Sequence, residues 1–102
     1  LKIVFDVGHG NYLGKDPYTE VMHAGKELKH LHIHDNHGIG PEGPKDEHLP
    51  VGEGNIDYDG FAKGLLEVGY EGLYMMELHY CTEENLEQCR QRMLESIEKA
   101  GR

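Results

Sequence analysis

Positions 30 to 37 hold four of the chain's eight histidines, in the run His30-Leu31-His32-Ile33-His34-Asp35-Asn36-His37. If this run is a strand, successive side chains face opposite ways, so His30, His32 and His34 share one face and Leu31, Ile33 and Asp35 the other. Imidazoles gathered beside carboxylates form the donor set of a divalent metal site, because neutral histidine nitrogen and ionised carboxylate oxygen are its usual ligands. A solvated, histidine-rich strand edge has the same pattern, so the run alone does not decide between them. Other candidates lie elsewhere. Asp6 closes the apolar run Ile3-Val4-Phe5, and His9 follows it between Gly8 and Gly10. Asp46 and His48 flank Glu47 in a polar stretch, and Glu77 interrupts the apolar segment Leu73 to Leu78, with His79 just beyond. A carboxylate in such a segment must shift its pKa or find a cation, which singles out Glu77 first and Asp6 next. His23 and His79 read as surface or packing residues.

The elements that must position these residues alternate. Leu1 to Phe5 is a short apolar run with Lys2 at its start, as expected of a strand buried on both faces, and it is followed by a loop through Gly10, Asn11 and Gly14. Asp16 can cap a short helix from Pro17 to Ala24, with Gly25 as its stop. Leu28 to Asp35 is the second strand. His37 to Asn55, with five glycines and three prolines, is a long loop, and loops beyond about 12 residues in a compact domain are usually functional or disordered. Its Gly52-Glu53-Gly54 lacks the strand-to-helix setting of a dinucleotide-binding turn, so nucleotide binding is discounted. Asp57 can cap a helix whose Phe61, Leu65 and Val68 share a face, with Gly69 ending it. Leu73 to Leu78 is the third strand, and Thr82 can cap a last helix with Leu86, Cys89, Met93, Leu94 and Ile97 as its buried stripe. Strand and helix alternating three times, without a hairpin signal, imply an α/β fold with a parallel sheet. In such a sheet all strand C-termini emerge on one side, so Asp6, His32 to Asp35, and Glu77 converge there.

Composition narrows the chemistry. The chain has 102 residues, 37% of them hydrophobic, which leaves little margin for a self-sufficient core. Ten Lys+Arg against 19 Asp+Glu give a formal net charge of −9. With no basic run to meet phosphates, a nucleic-acid partner is not expected, and metal ions or a small polar substrate suit this surface better. Cys81 and Cys89 form no CxxC pair and read as reduced thiols, which implies a cytoplasmic protein. No leader-like segment and no apolar run near the ~20 residues of a membrane span is visible, so no membrane partner is expected.

Taken in order, Asp6-Val7-Gly8-His9, His32-Ile33-His34-Asp35-Asn36, the stretch Asp46 to Asp57, Gly69-Tyr70-Glu71-Gly72 and Glu77 resemble the xylose isomerase-like TIM-barrel superfamily. That group includes sugar isomerases and epimerases, inosose dehydratases and zinc-dependent apurinic-site endonucleases. The resemblance implies that Asp6, His32 and Glu77 bind a divalent metal (zinc, manganese or cobalt) at the ends of the barrel's last three strands. It places His9 beside that metal, as a substrate contact and catalytic residue in epimerases or as a ligand of a further zinc in the endonucleases, where Asp46 and His48 match the other two ligands. His34, which stands where the nuclease pattern has asparagine, and Asp35 would support the ligands or touch the substrate. Glu77 would also be one of two acid/base carboxylates in an isomerase. A TIM barrel takes about 250 residues, so residues 1–102 resemble only its C-terminal part. The partner glutamate is expected upstream of Leu1, and the chain either lacks the N-terminal portion of the barrel or assembles as a homo-oligomer. Three functions follow: a metal-dependent sugar or polyol isomerase/epimerase, a zinc-dependent apurinic-site endonuclease, or a non-catalytic metal-binding or assembly module.

Overall fold

Residues 2–78 and 82–101 are described by a computed structural model. The expectations for His79 and Cys81 fall outside the described residues. The first apolar run forms β1, Ile3–Asp6, and leads directly into a short helix α1, Val7–Tyr12. This helix replaces the loop expected through Gly10. The Asp6 side chain caps it by accepting from His9 N at 2.9 Å, and Gly8 and Gly10 are buried within it. A glycine-rich segment is a poor helix former by propensity, so tertiary contact decides here.

Helix α2, Pro17–Ala24, begins as expected, with Asp16 accepting from Thr19 N and proline in the first turn. The second strand, β2, spans Leu28–Ile33, two residues shorter than expected at its end. The long segment beyond is a loop apart from a tiny hairpin, β3 (Ile39–Gly40) with β4 (Gly43–Pro44), and one bridge between Asp35 and Leu49. Helix α3, Tyr58–Val68, is capped by Asp57 and ends at Gly69, whose φ of 70° and ψ of 41° lie in the left-handed region that glycine enters without strain. Strand β5, Leu73–Met76, precedes α4, Glu83–Ala100, where Thr82 and Asn85 form a reciprocal capping box.

The strands form one parallel sheet in the order β1-β2-β5. One face is covered: Leu31 and Ile33 of β2 are fully buried with Val21, Phe61, Leu65 and Cys89 from the helices. The other face aligns Val4, His30 and Leu73 in one row and Asp6, His32 and Met75 in the next. It is open, with Val4 58% and Leu73 70% exposed. The buried stripe of α4 differs from expectation. Cys89 and Met93 are buried and Ile97 packs against the core, but Leu86 and Leu94 are exposed, and Ser96 takes a buried place.

Ser96 is buried because it donates to Asp59 Oδ1 at 2.9 Å, and Lys99 Nζ donates to Asp59 Oδ2 at 2.9 Å, joining α4 to α3. The Lys99 and Ser96 hydrogen bonds hold the Asp59 carboxyl below its usual value of 3.8. A carboxyl lowered in the folded state stabilises above its unfolded pKa, and that contribution is lost as pH falls through the folded pKa. In acid titrations of thermal stability, Asp59→Asn should therefore remove part of the decline below about pH 4, a difference of about 0.5 kcal/mol for a pair this exposed. Identical acid limbs for both proteins would refute that role. Among the described residues no helix is long and apolar enough to cross a membrane.

Candidate functional site

The parallel register brings three strand ends side by side. Asp6, the last residue of β1, pairs with His32 of β2, and the N–H of Glu77, just past β5, donates to Ile33 O at 2.9 Å. One ligand atom from each of Asp6, His32 and Glu77 lies within 4.8 Å of the others. Asp6 Oδ2 is 3.8 Å from His32 Nδ1, and the same nitrogen touches Glu77 Oε1. Glu77 Oε1 is buried and, this ion pair apart, no hydrogen bond reaches it. An orphaned buried carboxylate oxygen is costly. A divalent cation between these three side chains would satisfy it, so the donor set fits such an ion.

A second group lies beside the first. The Asp6 cap sets His9 one turn into α1, with His9 Nδ1 3.2 Å from Asp6 Oδ2 and Nε2 3.0 Å from Asp46 Oδ2. His48 Nε2 is 3.0 Å from Asp46 Oδ1, and its Nδ1 is 2.8 Å from the Glu77 carbonyl oxygen. That carbonyl can only accept, so His48 carries a proton on Nδ1, and in the neutral ring Nε2 and the Asp46 carboxylate would be two acceptors face to face. His9 likewise has a carboxylate against each nitrogen. A cation held between these nitrogens and carboxylates would meet all of them, which is again the character of a metal-binding set. Burial opposes ionisation of Asp6, but hydrogen bonds from His34 and the His9 N–H outweigh it and hold its carboxyl below 3.8. At Asp46 burial is likewise overcome, by His9 and His48. His48 itself has φ of 52°, the single positive value among the described non-glycine residues, a conformation costing about 1 kcal/mol or more that its surroundings must enforce.

His34 is fully buried, with Nε2 2.7 Å from Asp6 Oδ1. Its nitrogen lies near His9, Asp46 and His48, but its ring stacks on that of His48 at 3.9 Å and 2°. Nitrogen lone pairs lie in the ring plane, so two rings stacked in parallel cannot aim at one ion. His34 thus braces Asp6 rather than joining the second group. Gly8 makes room for it, since a Cβ there would fall 2.0 Å from His34 Cε1. His30, one row below, meets the His32 ring edge-on at 5.0 Å.

Asp35 touches neither group. It is fully buried, its Oδ1 accepting from Asn36 N (2.9 Å) and Ile56 N (3.2 Å) and its Oδ2 from Gly52 N (2.9 Å). Its carboxylate holds the loop that carries Asp46 and His48, a supporting place rather than one that touches either group. Gly54 has its reason here, because a Cβ on it would lie 2.3 Å from Asp35 Oδ1, whereas Gly52 is required by its φ of 96°. Cys89 adds a tether, its sulfur accepting from Val51 N at 3.0 Å. Three further residues went unread in the sequence: Asn36 is fully buried and bonded to Asn11, which also reaches Asn55. The signal was there in asparagines recurring in segments that border the histidines. His23 and His37 are exposed.

Comparison with known proteins agrees with this architecture. Residues 1–97 match the model of the family described as xylose isomerase-like TIM barrel. The uncharacterized protein MJ1311 of Methanocaldococcus jannaschii is 38% identical over 79 residues, covering 76% of this chain and 25% of that protein. The crystal structure of a D-tagatose 3-epimerase-like protein superimposes with a TM-score of 0.81 at 32% identity, over 99% of this chain and 36% of that one. The structure of IOLI protein with a bound zinc atom shares the fold, with a TM-score of 0.74 at 21% identity over 97% of this chain and 38% of that one. The chain thus spans about a third or less of the proteins it matches. With nearly its whole length matched, the chain belongs to the xylose isomerase-like TIM barrel family.

Proposed function

We propose that the parent protein is a metal-dependent isomerase or epimerase acting on a small sugar or polyol, and that this chain contributes part of its metal site. The observation that carries the reading is the convergence of Asp6, His32 and Glu77 from three adjacent strand ends, with Glu77 Oε1 buried and without a donor. The likeness to a D-tagatose 3-epimerase-like protein supports the substrate class, and the zinc of the IOLI protein structure supports a divalent ion, whether zinc, manganese or cobalt. When bound, the cation would polarise the substrate carbonyl and stabilise negative charge on its oxygen. Glu77 would hold or move the proton of the carbon beside that carbonyl. A carboxylate from a part of the barrel outside this chain would serve the opposite face of that carbon. His9, less than half exposed between the two groups, is placed to bind a substrate hydroxyl or, with Asp46 and His48, a second cation.

The test is ketose epimerisation by the full-length protein supplied in turn with manganese, cobalt and zinc. Glu77→Gln should lower kcat by about 10²–10⁴, the usual worth of a positioned acid/base. Unchanged turnover in that variant, or no metal uptake by the wild type, would sink the proposal. The convergence of His9, Asp46 and His48 favours a second reading, zinc-dependent phosphodiester hydrolysis, which the formal charge of −9 opposes. Cleavage of abasic-site duplex with zinc present would establish it, and absence of cleavage removes it. Residues 1–102 are, in this proposal, one portion of a barrel completed by further chain or by other copies. A cytoplasmic setting, expected from the cysteine usage, belongs to the same proposal.

A further inference from the structure

Three asparagines form a continuous line of amide hydrogen bonds between α1 and the long loop. Asn36 Nδ2 donates to Gly8 O at 2.9 Å, and Asn36 Oδ1 accepts from Asn11 Nδ2 at 2.7 Å. Asn11 Nδ2 also donates to Asn55 Oδ1 at 2.8 Å, and Asn55 Nδ2 donates to His37 O at 3.0 Å. Every amide has its oxygen and nitrogen fixed by its partners, since turning any one of them would set oxygen against oxygen or nitrogen against nitrogen. Asn36 is fully buried, and the backbone joins the same knot through Asn55 N to Asn36 O at 2.8 Å and Gly38 N to Asn36 Oδ1 at 2.9 Å. A connected polar network of this kind fixes one arrangement of the elements it joins.

What it joins matters for the site. Asn11 is two residues from His9 on α1, Asn36 follows β2, and Asn55 closes the loop that carries Asp46 and His48. The cap from Asp6 settles where α1 begins, but not how its far end lies. We propose that Asn11, Asn36 and Asn55 are positioning residues: their amide clasp sets α1 so that His9 stands 3.0 Å from Asp46. The inference rests on the reading of His9, Asp46 and His48 as ligands, and it adds that the second group depends on the clasp far more than Asp6, His32 and Glu77, which the sheet holds.

Asn11→Asp tests this in the full-length protein, because it keeps the shape of Asn11 and turns its double donor into an acceptor facing two oxygens. Calorimetric titration with cobalt, beside His48→Ala to identify the step that belongs to the second group, is the main measurement. In Asn11→Asp that step should weaken about 10- to 100-fold, the range seen when a group supporting metal ligands is lost, while the other step, coupled to it only through His9, changes by no more than about a few-fold. A merely structural lesion would weaken both. Wild-type affinity at both steps overturns the proposal. If the wild type shows no His48-dependent cobalt step, the ligand reading fails separately, and amide exchange of metal-free protein judges the clasp: faster exchange confined to α1 and residues 37–55 supports it, and unchanged exchange there overturns it. Should Asn11→Asp not fold, Asn11→Ala removes the donors without adding charge and carries the same expectations.

Discussion

Replacing Asp35 with alanine should cost about 3–5 kcal/mol of stability, because it leaves the N–H groups of Asn36, Gly52 and Ile56 without an acceptor in a buried setting. Against a total of about 5–15 kcal/mol for a folded domain, that is a large fraction. The damage should be uneven. The bridge of Asp35 to Leu49 uses backbone atoms and survives in principle, but the stretch from Pro50 to Ile56 loses the group it wraps around. Amide exchange should therefore quicken first across the loop and only then in the helices. Asp35→Asn, which keeps one acceptor oxygen, should fall between alanine and wild type. Denaturant melts of the three proteins check the order, and equal midpoints for alanine and wild type would remove the role assigned to Asp35.

The largest effect on chemistry is expected from Asp6→Asn. Asp6 is the point where His9, His32 and His34 meet, with Oδ1 2.7 Å from His34 Nε2 and Oδ2 facing the other two rings. Asparagine is as good a helix cap as aspartate, so the His9 N–H keeps its acceptor and α1 should form. What is lost is the negative charge that three imidazoles and a cation would share. Divalent-metal affinity at the strand ends should fall by at least about 100-fold, with the thermal midpoint of the metal-free protein shifted far less than in Asp35→Ala. Because the fold is retained, cobalt or manganese titration reads the site alone. Unchanged affinity would show that Asp6 is a cap and nothing more.

Much of the frame was legible from local chemistry. Asp16, Asp57 and Thr82 cap the helices that begin after them, and Gly25 and Gly69 end two of them. These signals are local, and the structure had no reason to override them. The strand ends were legible as well, because Glu77 and Asp6 close segments too apolar to hold a carboxylate for nothing. Other features were decided at a distance. Helix α1 hides in a glycine-rich stretch because its glycines answer to the His34 ring and, at Gly10, to Phe5, whose ring atoms a Cβ would meet at 3.1 Å. Leu86 and Leu94 sit at helical spacing with the core residues of α4, yet the neighbours that define a buried side are Asp59 and Val51, which periodicity along one helix cannot reveal. The partners of Asp35 were illegible for a related reason: alternation turns it away from the histidine face, but they come from a loop that returns from about 20 residues downstream.

The placement of His9 has a thermodynamic corollary. One rigid ring faces Asp6 with Nδ1 and Asp46 with Nε2, so it belongs to both groups at once. Whatever occupies one side, proton or cation, changes the charge and the tautomer presented to the other. Linkage makes that influence reciprocal. If both groups take a cation, as proposed, occupancy curves measured at either will report macroscopic constants of the joined set rather than properties of a single ligand sphere, and pH will act on them as a competitor for the same nitrogens.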